Sequence, residues 1–79
     1  MNYKKANGDS MIEVANFMLI GGKKIATIKG DISLIKNGTV LKKQDGSSVN
    51  ILSVAMDNLE NDVADVVIDR EIAVGDMLS

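Results

Sequence analysis

Thr39-Val40-Leu41-Lys42-Lys43-Gln44-Asp45-Gly46-Ser47-Ser48-Val49-Asn50-Ile51-Leu52-Ser53-Val54-Ala55-Met56 sets two runs rich in β-branched and aliphatic residues on either side of an Asp-Gly pair. Both residues of that pair tolerate positive φ, and a two-residue type I′ turn twists in the same sense as the strands it joins. The segment therefore reads as a β-hairpin turning at Asp45-Gly46. A two-residue turn sets Val40 opposite Ile51 and Lys42 opposite Val49.

Outward from the hairpin, glycines at 21, 22, 30, 38, 46 and 75 cut the chain into short β-branched runs. These cover residues 24–29, 32–35, 39–43, 48–56 and 63–68, a spacing typical of a sandwich or barrel. Residues 11–20 offer a partial helical match, but Ile12, Val14, Phe17 and Leu19 fall near one face of a strand. The alternation slips by one at Asn16, as a β-bulge would make it do, and a strand is the favoured reading. A single helical turn could fit residues 57–61. Residues 1–10, polar and poor in apolar groups, are expected to be a flexible tail preceding a β-barrel domain over 11–79.

Seventy-nine residues suit one small domain, and 46% of them are apolar. With neither cysteine nor histidine present, disulfides and the usual zinc sites are excluded. Stability must come from aliphatic burial, since Tyr3 and Phe17 are the only aromatics. No run approaches the roughly 18 apolar residues of a membrane span, and no signal-like apolar segment follows the first lysines. A cytoplasmic location and no membrane partner are the default expectations. The net charge of −2 is unevenly spread. Lysines dominate residues 1–43 and carboxylates dominate residues 44–79, giving either halves that interleave and neutralise or two faces of opposite sign.

Catalysis at neutral pH needs a group that titrates there, or a nucleophile beside a base. Ser47 and Ser48 lie near Asp45, but turn serines are common and no base accompanies them. No enzyme is expected, and no cofactor. The acidic stretch 57–65 fails as a calcium loop, because Asp62 stands where glycine is required and Ile68 where glutamate is. It reads as a solvated loop, with no metal. Gly21-Gly22 before Lys23-Lys24 lacks the spacing of a phosphate-binding loop and reads as a hairpin turn.

The order of these segments resembles the β-barrel second domain of translational GTPases, the domain that follows the nucleotide-binding domain in elongation factor Tu. Ile25-Ala26-Thr27-Ile28-Lys29-Gly30-Asp31-Ile32 is similar to that family's second strand and its glycine. Ile35-Lys36-Asn37-Gly38 matches its Ile-x-x-Gly. Val66-Val67-Ile68 takes the place of the penultimate strand, and Ile72-Ala73-Val74-Gly75-Asp76-Met77-Leu78 is similar to the closing Gly-Asp-x-Leu. The stretch concerned is residues 12–79. Residues 61–64 replace the family's Gly-Asp before the penultimate strand, and the chain has no P-loop, so no GTPase activity carries over. The resemblance implies a stand-alone, six-stranded antiparallel barrel, closed or nearly closed. It also implies a docking surface, used in that family for the acceptor end of tRNA, for ribosomal RNA or for neighbouring domains.

The functional expectation is a non-catalytic binding or assembly module that docks on a protein partner. The alternative is an RNA-contacting barrel using the hairpin lysines Lys23, Lys24, Lys42 and Lys43. Against it stand the acidic balance and the lack of a stacking aromatic. A small regulatory ligand-binding barrel is a third possibility and requires an enclosed cavity.

Overall fold

The computed structural model describes residues 11–33 and 35–79. The expected tail at 1–10 lies outside them. Six strands form in chain order: β1 (Ile12–Ile20), β2 (Lys23–Gly30), β3 (Val40–Lys42), β4 (Ser48–Asn58), β5 (Val63–Ile68) and β6 (Met77–Leu78). They pair antiparallel throughout, in the order β3-β4-β5-β2-β1-β6. A bridge between Lys43 and Leu78, with the Lys42 and Ser79 amides each donating to the other's carbonyl, joins the two ends of that order. The result is an all-β, nearly closed six-stranded barrel.

Its interior follows from two-residue periodicity. Ala64, Val66 and Ile68 of β5 point inward while Val63, Asp65 and Val67 alternate outward. Ile12 and Val14, Ala26 and Ile28, Leu41, Val49 and Ile51, and Leu78 supply the other inner positions. Among the described residues no polar side chain is buried. Each fully buried Ile or Val contributes about 1.5–3 kcal/mol, so a chain this short can hold together without aromatics at its centre.

The bulge in β1 is present. The register slips between Val14 and Asn16, leaving Ala15 as the extra residue. Ile12 and Val14 therefore point inward before it and Phe17 packs on the core after it. Leu19 continues the Phe17 face but is exposed. Its partner Lys24 still meets β5, opposite Ile68, but β6 reaches β1 only at Ile12 and Glu13, so among the described residues no strand flanks Leu19 on its other side.

Three expectations need correcting. Residues 32, 33 and 35 form no strand. β2 ends at Gly30, the Ile32 amide turns back onto the Gly30 carbonyl, and Ile32 is buried from a loop. Met77–Leu78 provides the sixth strand instead. Residues 57–61 hold no helical turn, since β4 runs on to Asn58 and a tight turn follows. The hairpin at Asp45-Gly46 exists, but its register is one residue off: Val40 faces Asn50, Leu41 faces Val49 and Lys42 faces Ser48. Of the pair, only Gly46 has positive φ, at 90°, so the type I′ turn is not formed. The Asp45 carboxylate accepts the Ser47 amide (2.9 Å) and hydroxyl (2.5 Å), and the Gly46 amide returns to the Lys43 carbonyl. Asp45 thus anchors a three-residue loop that ends at a left-handed glycine. The shift turns Leu41 into the core and Val40 out to solvent.

The closing segment is held by Asp76. Its carboxylate accepts the Ala73 amide (2.9 Å) and pairs with the Lys43 ammonium (3.5 Å). Its carbonyl takes the Val14 amide, and the Gly75 amide donates to the Val14 carbonyl. The first of these bonds shapes the segment itself, and the other three tie it to β1 on one side and to the end of β3 on the other.

Two outcomes follow from this geometry. A Cβ at Gly30 would lie 2.7 Å from the Met11 carbonyl oxygen, at φ +139°, whereas one at Gly46 would meet open space. Gly30→Ala is expected to destabilise by about 2–3 kcal/mol and Gly46→Ala by about 1, read as urea midpoints at constant slope. The second outcome concerns Asp69, which accepts both the backbone amide of Asn50 (3.0 Å) and its side-chain amide (2.6 Å). These bonds hold its carboxyl below the usual aspartate range. A depressed acid stabilises the fold above its unfolded pKa and loses that contribution as pH falls through the folded one. The stability advantage of wild type over Asp69→Ala should therefore be steady at neutral pH and shrink below about pH 4.

Candidate functional site

The four singled-out lysines fall on two strands. Lys23 and Lys24 open β2, while Lys42 ends β3 and Lys43 follows it. In the strand order, β2 and β3 stand three places apart in either direction, on opposite walls of the barrel. The two pairs are therefore not brought together. Lys43 is engaged with Asp76, whereas Lys23 and Lys42 are exposed.

Four acidic residues gather toward the other end of the sheet from Lys23 and Lys24. The turn between β4 and β5 carries Glu60 and Asp62, with Asp57 and Asp65 on the adjoining strands. The Gly30 amide donates to the Asp62 carbonyl, which places this turn at the finishing end of β2. Asp65 accepts the Thr27 hydroxyl across β2 and β5 at 2.6 Å. Among the described residues no three carboxylates converge as metal ligands would. A shallow concavity of about 200 Å³, lined by Met56, Asp57, Asn58, Asn61 and Val63 to Asp65, opens beside the turn. It is smaller than the roughly 300–1,000 Å³ of ordinary ligand pockets.

The feature that reading the residues missed is an edge. β6 pairs with β1 only at Ile12 and Glu13, and the Val14 backbone is taken up by Gly75 and Asp76. From Asn16 to Ile20, β1 has no strand beside it other than β2 among the described residues. Gly21 and Gly22 have φ of 58° and 82°, the two positive values of a type I′ turn. In such a hairpin Ile20 and Lys23 exchange both hydrogen bonds, and the alternation repeats at Met18 and Asn16. The amides and carbonyls of Phe17 and Leu19 consequently point away from β2. Met18, Leu19 and Ile20 are 38%, 59% and 53% exposed. A signal for this was present: no charge occurs between Glu13 and Lys23, although solvent-facing edges usually carry one.

The second half of β4, which extends past its short neighbour β3, is by contrast protected. Two bulges put Leu52 and Ala55 out of register, and the Asn37 side-chain oxygen takes the outward Val54 amide at 3.0 Å. Its far end carries Asp57 and leads to Glu60. Bulges, a capped amide and charge are three ways of making an edge unattractive to another strand.

No family model matches the chain, and no curated protein or solved structure is similar to it.

For RNA, one strand crossing the barrel can engage one lysine pair rather than four lysines at once. Two phosphate contacts give a log-affinity slope against log salt of about −1.4 for single strands. Fluorescence titration with tRNA and with an unstructured oligonucleotide should show no binding tighter than about 10 micromolar at physiological salt.

Proposed function

We propose that the chain is a non-catalytic docking module whose contact element is the bare edge of β1. The observation that carries this reading is the contrast between the two strands whose second halves extend past a short neighbour, β1 past β6 and β4 past β3. β4 is bulged, capped and charged, whereas residues 16–20 of β1 offer two backbone positions that no described residue pairs, flanked by apolar side chains. An incoming strand would complete the hydrogen bonds of Phe17 and Leu19 and cover Met18, Leu19 and Ile20. The resemblance to the second domain of translational GTPases, a docking barrel in that family, agrees with a binding role. The segments that carry it include Gly75-Asp76, which here fix the closing strand.

The test uses Leu19→Lys. Its side chain is solvent-facing, so the fold should persist with an unchanged unfolding midpoint, while a charge is placed on the edge. A protein partner captured by wild-type chain should be lost with Leu19→Lys and kept with Leu52→Lys on the protected edge. The amides of Phe17 and Leu19 should also gain hydrogen-exchange protection in the captured complex. Equal capture by both variants, with those two amides still exchanging freely, removes the edge from the reading.

A further inference from the structure

We infer that the strand that occupies this edge is β1 of a second copy of the same chain, paired antiparallel about a two-fold axis through Met18. The inference rests on the edge-docking reading and names its partner. Hydrogen-bond parity selects the register. The outward groups belong to Phe17 and Leu19, so an antiparallel match centred on Met18 sets Phe17 of each copy opposite Leu19 of the other. Both pairs then exchange amide and carbonyl bonds, four in total, with no outward group between them left over.

Side chains suit the same register. Phe17 meets Leu19 of the second copy on the inner face, and on the outer face Met18 meets Met18 while Asn16 meets Ile20. Charge selects the direction. The bare stretch is preceded by Glu13 and followed by Lys23 and Lys24. Antiparallel pairing directs each basic tip toward the acidic start of the other strand, whereas parallel pairing would align like with like. The alternative of β1 adding to β4 of another copy would run on into open fibres, and the bulges, the Asn37 cap and the acidic end of β4 oppose it. The two-fold pairing instead gives one closed, continuous sheet, running β4-β5-β2-β1 through the axis into the same strands reversed.

Five residues from each copy make a contact below the usual 1,200 Å² or so of a stable interface, so the dimer is weak and concentration-dependent. Sedimentation of the full chain from about 10 to 1,000 micromolar should show a monomer–dimer equilibrium. Leu19→Lys should shift it to monomer, and Leu52→Lys should leave it unchanged.

A second measurement reads the register itself. The chain contains no cysteine, and Met18 would face its own copy as a non-hydrogen-bonded pair, about 4.5 Å between Cα atoms, within disulfide reach. Mild oxidation should therefore link Met18→Cys chains roughly tenfold or more faster than Leu52→Cys or Val74→Cys chains, although those two positions are the more exposed. A wild-type chain that stays monomeric throughout, or Met18→Cys linking no faster than the controls, overturns the inference. If Leu19→Lys still loses a captured protein in that case, the docking reading stands with a different partner. If it does not, both fall.

Discussion

The barrel depends on a strand of two residues. Met77–Leu78 stands between β1 and the end of β3, and without it the strand order is an open sheet with an apolar inner face. So short a strand cannot hold by its own ladder, and its position is fixed from outside. Asp76 serves both neighbours at once, taking the Val14 amide through its carbonyl and the Lys43 ammonium through its carboxylate. The brevity of β6 also leaves the second half of β1 bare. Closure and the open edge are two results of one economy of length.

Architecture was largely legible in the residues. Glycines mark the strand ends, β-branched runs fill the strands, and the slip at Asn16 in the alternation of β1 is a real bulge. Misreadings came where a side chain outweighed a backbone preference. Asp45 uses its carboxylate to hold Ser47, which keeps it out of the left-handed conformation that a two-residue turn requires and moves the register by one. Ile32 has the composition of a strand residue but is drawn into the core from a loop. Two-residue β6 carries too little periodicity to be recognised by pattern, and only the closing Gly-Asp-x-Leu order pointed to it.

The candidate site was much less legible. The lysine pairs attract notice because charge is conspicuous in a sequence, yet they sit on opposite walls of the barrel. What distinguishes the β1 edge is a lack of charge, and residues 14–22 look like ordinary core until the fold shows that, among the described residues, no strand covers their second half. Exposure of Leu19 depends on how far β6 reaches along β1, a long-range fact that no local pattern contains.

Pairing of Ile12 with Leu78 has a kinetic side as well. The contact joins nearly the first described residue to nearly the last, and β2 with β5 adds a second distant pairing. Such topologies collapse slowly, in milliseconds to seconds, because distant segments must find each other before burial rewards them. On the ribosome the hairpins β1–β2 and β4–β5 can form in turn, but the whole length of β1 stays uncovered until the closing residues emerge. For that interval neighbouring nascent chains present each other with a longer sticky strand than the finished protein does. The arrival of β6 then trims it to the short stretch beyond Val14.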